Sequence, residues 1–178
     1  LQLGLGAAAS ATLGAAPACS WASAMAGQAA RRVTLHNIHT DETLDAVYWE
    51  QGRYIPEVMV EVNRVLRDYR SGDVHHIDPN LIDLLGSIST KLESRTPFKV
   101  VSGYRSPHTN ELMHERSSGV AKKSLHMEGM AIDIHLEDVA LPHLQRAALD
   151  IGRGGVGFYP SSNFVHVDVG PVRRWQGV

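Results

Sequence analysis

The sequence predicts an α+β domain. Apolar alternation at residues 130–135 and 164–169 marks strands, as does the short run 98–102 after Pro97, whereas 58–69, 79–92 and 140–151 space their apolar residues as helices do. A length of 178 residues allows one domain with a sizeable core, hardly two. Hydrophobic residues make up 43% and charged residues 20%, which excludes a collagenous, coiled-coil or wholly disordered chain. Seventeen Lys+Arg against nineteen Asp+Glu leave a formal charge of −2, so no basic excess points to nucleic acid and no acidic run to a solvating tail. The single cysteine, Cys19, rules out an internal disulfide. Ten histidines are more than a chain of this size needs, a first hint of metal chemistry.

Residues 1–30 stand apart: they carry no charge, twelve are alanine, and Ala22-Ser23-Ala24 forms an A-x-A cleavage pattern. Pro17 and interspersed polar residues interrupt the stretch too often for a spanning helix, so no stable membrane span is expected. An export signal fits, with its basic start upstream of Leu1. Its low hydrophobicity resembles a twin-arginine signal, although no arginine pair is visible. The competing readings are a flexible Ala-rich tail and a lipid anchor at Cys19. Against the anchor, Ala16-Pro17-Ala18-Cys19 lacks the leucine usual three residues before a lipidated cysteine. Residues 31–178 are expected to form a single domain.

Within that domain, Val33–Leu35 and Leu44–Tyr48 flank the polar Thr40-Asp41-Glu42-Thr43 and predict a hairpin. Apolar residues at 58, 59, 62, 65, 66 and 69 predict an amphipathic helix over Val58–Tyr69. Asp78 is placed to cap a second helix opened by Pro79, with Leu81, Leu84, Leu85, Ile88 and Leu92 as its buried stripe. Pro97 closes that region, and Phe98–Ser102 reads as a short strand. A third helix covers Ala140–Ile151, with Leu144, Ala147, Ala148 and Ile151 inward. Gly152, Gly154, Gly155 and Gly157 predict a tight turn into a last strand, Phe164–Val169.

Two of these strands carry chemistry. Met130, Ile132 and Ile134 point one way, and Ala131, Asp133 and His135 the other. In the last strand Val165, Val167 and Val169 share one face, and Phe164, His166 and Asp168 share the other. Polar pairs amid apolar neighbours need partners or a metal, since isolated burial costs several kcal/mol. Gly129 would let the backbone turn so that His126 folds back beside Asp133. His126, Asp133 and His166 then offer two imidazole nitrogens and one carboxylate, which with a water is the usual design of a catalytic zinc site.

Ser124-x-His126-x-x-Gly129-x-Ala131-x-Asp133, followed by a strand carrying His166, resembles the zinc D-alanyl-D-alanine peptidases, a superfamily that shares its metal-site fold with hedgehog domains. The match is nearer to the YcbK-like murein DD-endopeptidases, through Ser102-Gly103-Tyr104-Arg105-Ser106-Pro107, the segment Ser117–His126, Gly154-Gly155-Val156-Gly157-Phe158-Tyr159 and Phe164–Asp168. It covers roughly residues 31–176. It implies a small antiparallel sheet carrying the zinc site and packed against helices. It also implies one zinc held by His126, Asp133 and His166, Arg105 as a substrate and transition-state contact, and peptidoglycan stem peptides as substrate. The function expected is an exported, periplasmic or cell-envelope zinc metallopeptidase that hydrolyses stem-peptide cross-links. Two alternatives stay open: a zinc-bearing protein that binds peptidoglycan without cutting it, and a D-alanyl-D-alanine carboxypeptidase.

One departure bears on catalysis. Many relatives place an acidic residue a few positions before the last histidine as general base, whereas here Ser161, Ser162 and Asn163 precede Phe164. Asp168 either serves as base or hydrogen-bonds a metal ligand, and His135 is a rival base. Glu128 does not complete H-E-x-x-H, which needs glutamate directly after the first histidine. His36 and His39, spaced by three in a hairpin, do not share a face. His75-His76, His108 and His114 read as surface residues, with substrate contact open for the last two. Gly152–Gly157 lacks the Lys-Ser/Thr of a phosphate loop.

Overall fold

Alternating apolar side chains between Phe98 and Asp168 build the centre of one sheet. The computed structural model describes residues 29–117 and 119–177. The Ala-rich segment through residue 28, with the expected cleavage site and Cys19, lies outside the described residues. Eight strands are present: β1 (Arg31–Asn37), β2 (Thr43–Glu50), β3 (Arg53–Tyr54), β4 (Phe98–Ser102), β5 (Ala131–His135), β6 (Gly155–Tyr159), β7 (Phe164–Asp168) and β8 (Arg173–Gln176). Their order is β3-β2-β1-β4-β5-β7-β6-β8. Four helices complete the described chain: α1 (Pro56–Val65), α2 (Pro79–Leu92), α3 (Pro107–Arg116) and α4 (Leu141–Ile151).

The α+β class is as expected, but the sheet is neither small nor wholly antiparallel. β1 pairs in parallel with β4, and β6 in parallel with β8. Parallel neighbours need a long crossover. The first pair gets one from β2, β3, α1 and α2, and the second from the return through β7. Helices α1, α2 and α4 pack over one face. Leu35, Leu81, Leu85, Ile88, Ile132, Ile134, Leu144, Val165 and Val167 are all fully buried in that core. Because strand side chains alternate, Asp133, His166 and Asp168 project from the opposite face.

Local chemistry explains where the elements stop. Asp78 accepts the Asn80 N–H at 2.8 Å and caps α2, as expected. The helix expected to reach Tyr69 ends at Val65, and the Leu66 carbonyl instead accepts the Tyr104 N–H at 2.7 Å. That bond ties the segment after α1 to the turn carrying Arg105. Three strands and a helix were not anticipated by periodicity, the first of them the two-residue β3 after the expected hairpin. The glycine-rich stretch read as a turn holds the first three residues of β6, and β8 comes after β7; α3 buries only the polar Thr109 and Asn110.

Candidate metal centre

Strand register places two of the three chelating residues. Asp133 on β5 lies directly opposite His166 on β7, and Ala131 opposite Asp168. His126 arrives from a single 3₁₀ turn, Leu125–Glu128. The Ser124 hydroxyl caps that turn by accepting the His126 N–H at 3.3 Å, and Gly129 closes it at φ +67°. A Cβ at Gly129 would run into the His76 carbonyl, so glycine is required here for space as well as conformation.

The three side chains converge. His166 Nδ1 lies 2.8 Å from Asp133 Oδ1, His126 Nε2 lies 3.3 Å from the same oxygen, and the two ring nitrogens are 3.2 Å apart. All three residues are buried. The outer nitrogens show what the inner ones must be. His126 Nδ1 donates to the Gly103 carbonyl at 2.7 Å, and His166 Nε2 donates to Asp168 Oδ2 at 3.1 Å. A neutral imidazole has one N–H, so both inner nitrogens present lone pairs. Two lone pairs and a carboxylate oxygen therefore face one point, and only a cation satisfies them. Edges near 3 Å also suit a tetrahedral ion with bonds of about 2 Å. The donor set fits a divalent metal.

The electrostatics agree. Burial opposes charge on His166, but hydrogen bonds to Asp133 and Asp168 outweigh it and raise its pKa to about 9 in the metal-free protein. Burial lowers His126, against the attraction of Asp133. Burial alone would raise Asp133, yet the two imidazoles hold it well below the usual carboxylate range.

The cluster opens into a cavity of about 470 Å³. Arg105 lines it: its Nη1 donates to Asn110 Oδ1 at 3.2 Å, its Nη2 lies 3.9 Å from Asp133 Oδ2, and its buried Nε has no partner. Around the cavity stand Tyr159 stacked on Phe164, Trp175 donating to the Tyr159 hydroxyl at 2.8 Å, and His39 stacked on Tyr69. Asp133 is the one carboxylate among the residues that line it.

A family model described as peptidoglycan L,D-endopeptidase MepK matches residues 25–175. The chain belongs to the MepK family. It is 46% identical to the peptidoglycan L,D-endopeptidase MepK of Escherichia coli (strain K12) over 145 residues, covering 82% of this chain and 80% of that one. To the probable peptidoglycan L,D-endopeptidase MepK of Haemophilus influenzae it is 41% identical over 149 residues, covering 83% and 80%. The solved structure of the Serratia marcescens L-Ala D-Glu endopeptidase ChiX matches 43% of this chain and 62% of its own at 21% identity, with a TM-score of 0.35.

In this MepK-family chain Asp168 is fully buried. Besides His166 it accepts Gly155 N–H and Gly170 N–H, each at 2.9 Å, and two bonds from Arg173 at 2.7 and 3.0 Å. Burial would raise its pKa, but those donors hold it well below the usual range. It sits behind His166, away from the cavity. His135 also lies outside the cavity lining, at the end of β5 beside Lys99. His36 bridges Asp41 and Lys99, and His75 stacks on Tyr104. His114 binds the Val120 carbonyl at 2.6 Å. Sequence reading overlooked Arg173, Trp175, Tyr159, Asp68 and Arg70. Arg173 and Trp175 had a usable signal in the polar-aromatic segment just after the Asp168 strand.

Proposed function

We propose that this member of the MepK family is an exported, zinc-dependent peptidase that cuts an L,D amide in peptidoglycan stem-peptide cross-links. The observation that carries the reading is the convergence of His126 Nε2, His166 Nδ1 and Asp133 Oδ1, with each histidine's outer N–H already committed to an acceptor. Two imidazoles and a carboxylate without thiolates are a zinc donor set that leaves room for substrate. The motifs resembled the DD-endopeptidases; the names of the relatives specify the L,D bond, and we adopt that bond here.

Zinc bound at these three residues would supply Lewis-acid polarisation of the scissile carbonyl and a water acidified towards neutrality. The chain's own groups do the rest. Arg105, a fixed cation with an unspent buried N–H, faces the cavity where the tetrahedral oxyanion develops. Asp168, clamped by Arg173, fixes the tautomer and tilt of His166 and serves as its orienting partner, not as a base. Trp175 packs 5.1 Å from the His166 ring and shields that side of it.

Purified protein loaded with zinc and incubated with L,D- and D,D-cross-linked muropeptide dimers tests this. Chelator-sensitive conversion of the L,D dimer to two monomers is expected. Release of a terminal D-alanine alone would favour the carboxypeptidase, and tight binding without turnover the non-catalytic zinc protein. The absence of a free carboxylate from the cavity lining is the feature that favours that second reading. Among the described residues no helix is long and apolar enough to cross a membrane. Fractionation with mass spectrometry of the N-terminus tests export and cleavage near Ala24.

A further inference from the structure

The cavity is lined by four cationic side chains, Arg70, Arg105, Lys123 and Arg173, against the single carboxylate Asp133. Arg173 is committed to Asp168 through two bonds. Asp133 is turned to the two histidines. Arg70 has no ion-pair partner among the described residues, yet it is held in place. Its guanidinium lies 4.1 Å over the Tyr69 ring, and Tyr69 stacks on His39 at 3.8 Å, so the three form a layered ledge at the cavity.

The backbone under that ledge is fixed as well. Asp68 Oδ1 accepts the Arg70 N–H at 3.0 Å, and Asp68 Oδ2 accepts the Ser106 N–H at 2.9 Å. One buried carboxylate thus locks together the turn carrying Arg70 and the turn carrying Arg105. Two guanidiniums are thereby kept in one cavity: Arg105 has only the 3.9 Å contact to an Asp133 already shared with two histidines, Arg70 has no ion pair among the described residues, and Arg105 retains a buried N–H with no acceptor. Like charges held together repel, and the arrangement is relieved when an anion enters. A planar guanidinium fork is matched to a carboxylate, which it binds through two parallel bonds. Lys123 offers only a point charge on a long stem.

We propose that Arg70 is a specificity residue that binds a free carboxylate of the substrate, the one carried by the D residue whose amine leaves. This rests on the endopeptidase reading above. When an L,D amide is cut, the departing nitrogen belongs to a D residue. Where the peptide ends or branches at that residue, its own carboxylate is free and one carbon away from the nitrogen. A substrate whose carbonyl sits at the His126–Asp133–His166 cluster keeps that carboxylate within the same cavity.

Two synthetic L,D-cross-linked peptide dimers decide the matter, one with this carboxylate free and one with it converted to the primary amide. Both are given to the zinc-loaded full chain and its variants, with kcat and KM measured separately. The wild type should favour the free carboxylate by about tenfold or more in kcat/KM, the scale of a hydrogen-bonded charge. Arg70→Gln should bring that ratio close to one, chiefly through KM, and Arg70→Lys should restore part of it. A purely structural Arg70 would depress both dimers alike and leave the ratio unchanged, which overturns the assignment. A wild type that cuts both dimers equally also overturns it. A wild type that cuts neither defeats the endopeptidase reading and this inference with it.

Discussion

His166 and Asp168 stand two residues apart on one strand, and the carboxylate takes the N–H of the ring face turned away from the metal cluster. That contact fixes which nitrogen of His166 faces Asp133, so the residue next but one in sequence sets the chemistry of the site.

Asp168→Asn should therefore weaken metal binding by about 10–100-fold, the usual cost of losing such a partner. Activity should return when free zinc is raised. Metal content after dialysis, together with rate against free zinc, checks this. A variant that keeps its metal but has no turnover at saturating zinc would instead make Asp168 the base.

Zinc should also stabilise the fold by mass action, by about 2.7 kcal/mol at a free concentration one hundred times the dissociation constant. The melting temperature of the chain should climb with added zinc and fall back with chelator. His126→Ala and His166→Ala should lose that response and about one equivalent of bound zinc. An unchanged zinc-dependent melting shift in both variants would remove these residues from the ligand set.

Asp68 predicts a pH dependence remote from the metal. Burial would raise its pKa, but hydrogen bonds from Thr109, Ser106 and the Arg70 backbone lower it from 3.8 to about 2. A carboxylate depressed in the folded state stabilises above its unfolded pKa and loses that contribution as pH falls through the folded value. On the order of 2 kcal/mol should thus be present above about pH 4 and gone near pH 2. Asp68→Asn should be less stable at neutral pH and show a flatter acid limb in denaturant titrations between pH 4 and 2.

Much of the sheet and the metal cluster was legible because alternation alone sorts side chains between faces. Asp133 and His166 interrupt two apolar strands on matching faces, and a single glycine allows His126 to join them. Helix α3 left no such trace, because Thr109 and Asn110 are buried for hydrogen bonding and no apolar stripe forms. Strand β6 was hidden for a different reason. Its glycines read as a turn, but they are there to admit large neighbours: a Cβ on Gly157 would sit 2.6 Å from the Trp175 ring. Arg70 belongs to no motif or periodic pattern, and only the tertiary fold lays it on Tyr69 beside the cavity.

That explanation of β6 has its own consequence. Gly157→Ala should cost about 1–3 kcal/mol, as overpacking does. It should also displace Trp175 from His166, so a change in Trp175 fluorescence should accompany the fall in melting temperature. Wild-type stability and emission would show that the ring yields freely.

Arg105 offers the sharpest separation of function from fold. It is 7% exposed, burial lowers its pKa against the pull of Asp133, and its Nε lacks any acceptor. A buried cation with an unsatisfied donor is a cost to the folded state. Selection keeps such costs at sites that act on a ligand. Arg105→Met retains much of the side-chain volume while removing the charge, so the variant should melt no lower than the wild type and retain its zinc. Its cleavage of cross-linked muropeptides should nevertheless fall about a hundredfold, the scale of a lost oxyanion contact, with the loss in kcat. If Arg105→Met instead unfolds at lower temperature and cuts at the wild-type rate, the arginine is structural, and Asn110, its hydrogen-bonded neighbour, is the residue it serves.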